Sequence, residues 1–258
     1  TLNLPATFTV SSTTNLTGYE QVINKTLTNN GTMNWGSSYL SFNGGTLINN
    51  NTINNTSNGY FYRYSGGGLF TNNSGATFRK QTATGITNSG IDINNAGSFA
   101  VQAGTFEIGS DSLTNTGAVA ISAGSTFKIS FVSTFNSGST ITGPGTFHQN
   151  NSSLLLNTPV SVASSTIFLF TGGSVNGSGS LSIAGTLNWT GGTLNLPTTL
   201  AGTATANISG YEVVVNKTLT NNGTINWSNS YLSFNGGAVI NNNIFNNTRT
   251  GGTGIHYA

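Results

Sequence analysis

Apolar and polar residues alternate along this chain in runs of four or five, and each run ends at a small or amide residue. TMNW at 32–35, YLSFN at 39–43 and TLIN at 46–49 follow one another with only Gly-Ser-Ser and Gly-Gly between them. The stretch 97–116 reads SFAV, TFEIG and SLTN with the same punctuation. A period of two over so few residues predicts short strands with one face buried and one in solvent. Asn-rich turns then recur as TNNGT (28–32), INNNT (48–52), TNNSG (71–75), INNAG (93–97) and TNTGA (114–118). Gly31, Asn51, Gly75, Gly97 and Gly117 open the strands that follow, at intervals of roughly 20–24 residues. Asn and Gly tolerate backbone conformations that other residues resist, as a tight corner repeated on every coil requires.

Three short strands in each such interval predict an all-β chain wound as a three-sided parallel β-helix, with equivalent strands stacked from coil to coil. At roughly 4.8 Å per coil, about twelve coils give a rod on the order of 55–60 Å long. Leu27, Leu47, Leu69, Phe78, Phe99, Phe106 and Phe127 are expected to point inward. Phe106 and Phe127, one coil apart, would form part of an aromatic ladder, and rows of Asn at the corners would hydrogen-bond along the axis. Between Ser139 and Val175 the pattern is less regular, and Pro144 and Pro159, which cannot donate to a ladder, are placed at corners.

A second, longer period encloses the first. KTLTNNGT occurs at Lys25–Thr32 and again at Lys217–Thr224, and the match runs without a gap from 1–56 to 193–248 with 38 identities. The reading is one continuous solenoid over 1–258, in which 1–192 is a full long repeat and 193–258 begins the next. Lys25 and Lys217, Asn29 and Asn221, and Trp35 and Trp227 are its equivalent structural positions. The long period is expected to span about nine coils, or roughly 43 Å. After Thr248 the similarity ends, and TGGTGIHYA stands where NGYFYRYSG stood.

Only 5% of residues are charged, with a formal net charge of +2, and hydrophobic residues make up 35%. Disorder normally combines low hydrophobicity with high net charge, so an ordered chain with polar turns is expected. The seven cations are spread along the sequence, and only Arg79 and Lys80 are adjacent. Nucleic-acid binding through counterion release, which needs many cations on one surface, is not expected. With no cysteine there is no disulfide framework or thiolate metal site. The longest apolar stretches, 154–156 and 167–170, are far too short to cross a bilayer.

The phrases GTLNWTGG (185–192), GSGSLSIAGTLNW (177–189), TLTNNGTINW (218–227) and NNAGSFAVQAGTFEI (94–108) resemble the repeats of large bacterial surface proteins, the haemagglutinin- and autotransporter-like β-solenoids. The resemblance covers nearly the whole chain and lies in repeat texture. It implies a secreted or surface-displayed rod with a scaffolding or adhesive use, and it assigns no catalytic residue.

Candidate chemistry is sparse. The acids are Glu20, Asp92, Glu107, Asp111 and Glu212, of which Glu20 and Glu212 are equivalent in the long period. Asp92 and Asp111, separated by close to one coil, are placed on adjacent coils near one corner. There they read as a carboxylate pair, a cation site or two solvated turn acids. Glu107 and Lys128 fill matching places in GTFEI and STFKI and are expected to stack as an exposed ion pair. His148 and His256 have no ligand cluster around them, and no cofactor is implied. Tyr60, Tyr62 and Tyr64 alternate along YFYRY and would stack on sugars or a partner surface if they point outward together. The expected function is therefore structural and non-enzymatic: an extracellular fibre or stalk segment, bacterial by resemblance, joining copies of itself or further repeats end to end. A glycan-binding adhesin is the alternative, and a polysaccharide-active enzyme the lesser one.

Overall fold

The computed structural model describes residues 1–228, 231–250 and 254–257, which form strands and turns without a helix. Strands enter three sheets in strict rotation. Thirteen of the described strands build the first sheet, starting at Ala6–Phe8, and twelve each build the second and third, starting at Thr13–Leu16 and Glu20–Ile23. Neighbouring strands in every sheet run parallel and one coil apart, as in Thr26–Asn29 on Gly45–Asn49, which pairs Leu27 with Leu47 and Asn29 with Asn49. The molecule is a β-solenoid of about 12 turns with about 20 residues per coil. The stretch 139–175 keeps this rhythm: Pro144 and Pro159 lie in the turns before Thr146–Gln149 and Val160–Val162.

The core is the column enclosed by the three sheets. Phe106, Phe127 and Phe147 stack in it on successive coils, with ring centroids 6.0 and 5.9 Å apart and planes within 18° and 9° of parallel. One expected inward residue is displaced. Leu69 is partly exposed, and Phe70, fully buried, takes the column position between Leu47 and Ile93. The strand Gly68–Asn72 carries two adjacent apolar residues, and its register puts Leu69 beside Thr46 and Asp92 on the outer parity.

The asparagine rows lie deeper than corners. Asn29, Asn49, Asn72, Asn95 and Asn115 end five successive strands of the first sheet and are 0–2% exposed. Each side-chain amide donates to the next carbonyl oxygen along the axis, at 2.8, 2.8, 2.7 and 2.7 Å. The turns that follow need small residues. A Cβ on Gly97 would lie 2.3 Å from the Ala76 carbonyl oxygen, and Gly75 has φ +81°, where side chains are strained.

Lys80 breaks the apolar rule. It follows Phe78 at the inward parity of Thr77–Lys80, stacks between Asn55 and Val101, and is 0% exposed. Its ammonium donates to the Ala83 carbonyl at 3.0 Å, and burial pushes its pKa below the ordinary lysine value.

The long period is close to nine coils, as expected, but not a whole number of them. Its first copy of TLTN, Thr26–Asn29, lies in the first sheet, whereas its second, Thr218–Asn221, lies in the second sheet. Three strands make a coil, so nine coils would return the motif to the sheet it started from. The chain instead adds one strand more, and the period is nine coils and a third. Coils of unequal length make this possible. Trp35 and Trp227 are accordingly both buried, but on the second and third sheets. Lys25 and Lys217 are exposed at different corners of the solenoid.

Candidate functional site

Parity along Tyr60–Arg63 builds the most distinctive surface. Phe61 is fully buried and packs on Trp35 and Phe70, with ring centroids 4.6 and 5.3 Å away. That anchor puts Tyr60 and Tyr62 on the outer parity, and Tyr64 follows just beyond the strand; Tyr62 and Tyr64 are exposed, while Tyr60 is half-buried beside them. Stacking of coils brings in two more that spacing along one strand does not reveal. Tyr39 pairs with Tyr60 in the ladder, and Glu20 pairs with Tyr39. The rings form a continuous chain: Tyr19 to Tyr39 at 5.2 Å, Tyr39 to Tyr62 at 5.9 Å, Tyr60 to Tyr62 at 5.7 Å and Tyr62 to Tyr64 at 5.1 Å. Edge and tilted contacts of this kind hold rings in place without closing off their faces.

Glu20 sits among these rings. Its carboxylate accepts hydrogen bonds from Ser41 Oγ at 2.6 Å and from the Tyr64 hydroxyl at 2.8 Å. Those two bonds, Ser41's first, hold its pKa below the ordinary carboxylate range, and the bond to Glu20 raises that of Tyr64. An open recess of about 290 Å³ is lined by Tyr19, Glu20, Tyr39, Tyr62 and Tyr64. A second recess of about 380 Å³ shares Tyr19 and Tyr39 with the first and is lined by Ser38, Asn58, Tyr60 and Asn88 as well. Flat apolar faces flanked by a carboxylate, a hydroxyl and amides can hold a ring that is apolar on its faces and hydroxylated at its edge. The lining contains one acid, so the paired carboxylates of glycoside hydrolysis are not assembled there.

Several other charged residues are tied to neighbours. Asp92 and Asp111 do lie on adjacent coils. Asp92 accepts from Ser112 N and Oγ at 3.1 and 2.6 Å, and Asp111 pairs with Arg63 at 2.8 Å. Burial raises the Asp111 pKa, Arg63 opposes that rise, and Asp92 adds to it. Glu107 and Lys128 pair across adjacent coils at 2.9 Å, but with side chains only 13% and 25% exposed they are half-buried rather than free in solvent. Ser130 also donates to Glu107. Glu107→Gln keeps that partner and is expected to cost about 1 kcal/mol at low salt and less at high salt, read from urea unfolding midpoints. His148 lies beside Lys128 in the ladder and bonds Thr171 Oγ1 at 2.9 Å; burial chiefly, then Lys128, lowers its pKa. No group of three metal-ligating side chains exists among the described residues.

Comparison with models of protein families, with curated proteins and with solved structures gave no match.

Proposed function

We propose that this chain is a segment of an extracellular structural rod, a fibre or a stalk on a bacterial cell surface. One observation carries the reading: three parallel sheets run without interruption through the described coils, so backbone hydrogen bonds lie along a single axis. Such a rod resists extension along its length, and its sparse charge leaves an outer surface of Thr, Ser and Asn. At the last described coil, Phe234, Val239 and Phe245 are only partly buried and line an open recess of about 460 Å³. Another coil laid there, from the same chain or a second copy, continues the sheets and covers these side chains. Electron microscopy of the purified chain tests the assembly. Rods lengthening with concentration in steps of about 58 Å, twelve coils at roughly 4.8 Å, are expected. Single rods of that length at every concentration would sink end-to-end stacking.

The second reading is adhesion to glycans, favoured by the outward tyrosine platform around Glu20. Rod and platform are compatible, since a stalk that displays contact sites serves both ends.

A further inference from the structure

The platform has a partial twin. Tyr19, Glu20, Tyr39 and Ser41 correspond, one long period later, to Tyr211, Glu212, Tyr231 and Ser233 without a substitution. The geometry is reproduced as well. Glu212 pairs with Tyr231 as Glu20 pairs with Tyr39, and Ser233 Oγ donates to Glu212 at 2.5 Å where Ser41 donates to Glu20 at 2.6 Å. Tyr211 and Tyr231 are exposed, with ring centroids 5.6 Å apart against 5.2 Å for Tyr19 and Tyr39. The surroundings then diverge: His256 stacks on Ser233 where Tyr62 stacks on Ser41.

The twins do not face the same way. Glu20–Ile23 and Tyr39–Phe42 belong to the third sheet, whereas Glu212–Val215 and Tyr231–Phe234 belong to the first. The extra strand in each long period moves the motif on by one face. Along the axis the two are about nine and a third coils apart, or roughly 45 Å.

We propose that the tyrosine–glutamate motif is a contact site for neutral polysaccharide, shown on successive faces of the rod so that one chain cross-links separate polysaccharide strands. This rests on the adhesive reading of the platform. Neutral saccharide fits because pyranose faces stack on tyrosine rings, while an ionised carboxylate with serine beside it takes up sugar hydroxyls. An acidic sugar would meet Glu20 or Glu212, and no cation lines the recess at Glu20. Two sites on different faces cannot lie flat on one straight strand, so their avidity is realised only between strands.

Cellohexaose, a flat β-1,4-linked probe, and the long neutral polymer hydroxyethylcellulose separate the possibilities. Calorimetry is expected to find two cellohexaose sites per chain, the one at Tyr39 the tighter because Tyr62 and Tyr64 border it. Tyr39→Ala and Tyr231→Ala each leave one site, and Tyr39→Phe, which keeps the ring, leaves both. At concentrations where electron microscopy shows single rods, the wild type thickens hydroxyethylcellulose, and either alanine variant binds it without thickening it. If Tyr231→Ala changes nothing while Tyr39→Ala abolishes all binding, repeated display is wrong and the single platform stands. Two sites without thickening overturn cross-linking. Absence of binding by the wild type, or binding indifferent to Tyr39→Ala, overturns the platform itself.

Discussion

Asn72→Leu is expected to destabilise the solenoid by about 2–4 kcal/mol, far more than its similar volume suggests. Asn72 is the middle rung of the buried row, accepting from Asn49 Nδ2 at 2.8 Å and donating to Asn95 Oδ1 at 2.7 Å and to the Ser98 carbonyl at 3.1 Å. Leucine offers neither function. Asn49 retains the Asn51 and Thr77 carbonyls, but Asn95 Oδ1 is left in the dry interior without its donor. A buried polar atom without a partner costs about 1–3 kcal/mol, and the lost hydrogen bonds add to it. The control stands one residue away. Asn73 donates to Asn50 Oδ1 at 2.6 Å in a parallel row on the exposed side, where water replaces a missing rung. Asn73→Ala is expected to stay within about 0.5 kcal/mol of the wild type. Solenoids unfold by coupled neighbouring units, so hydrogen exchange is the sharper readout. For Asn72→Leu, protection should fall in the strands ending at Asn49, Asn72 and Asn95 and persist toward Phe170. Equal effects of the two substitutions would mean that the buried row adds no more than the exposed one.

Coil architecture is legible in the sequence because the local signals agree: alternation gives the strands, and the asparagine turns give the corners. The pattern misleads where parity is ambiguous. In GGGLFTNN either Leu69 or Phe70 can face inward, and the deciding clue is Asn72, which shares the parity of Phe70 and stands in the row with Asn49 and Asn95. The extra third of a turn in the long period is hidden because residue counts do not fix strand counts when coils differ in length. The tyrosines of YFYRY are readable along one strand, but their joining with Tyr19, Tyr39 and Glu20 requires stacking the sequence at the coil period. Tyr19, Tyr39 and Tyr60 succeed one another at close to one coil each, a spacing that carries the signal. Lys80 escapes notice for a different reason. Counting two from Phe78 points it inward, but a lysine is so rarely buried that composition argues the other way.

That lysine leads to the opposite kind of result: Lys80→Met is expected to stabilise the chain. The ammonium has left water for a column between Asn55 and Val101, and it donates to one carbonyl, that of Ala83. Desolvation of an ion is compensated only by good geometry and several partners, and even buried ion pairs are often replaced by well-packed apolar residues with no loss or with a gain of about 1–4 kcal/mol. Methionine is unbranched and adaptable enough to fill the space. The pH dependence separates charge from packing. Burial lowers the folded-state pKa of Lys80 below its ordinary 10.5. Between the lowered value and the ordinary one the unfolded chain binds more protons than the folded chain, so this group adds stability as pH rises through that window. Below the window its penalty is present in full. The advantage of Lys80→Met over the wild type is therefore expected to be largest near neutral pH and to shrink as pH climbs toward 10.5. Other titrating groups, Tyr64 among them, are shared by both proteins and cancel in the difference. Urea unfolding of the two proteins in parallel across the alkaline range measures it. A variant less stable than the wild type at neutral pH would show that Lys80 contributes through contacts that outweigh its desolvation. A constant advantage at all pH values would assign the gain to packing alone.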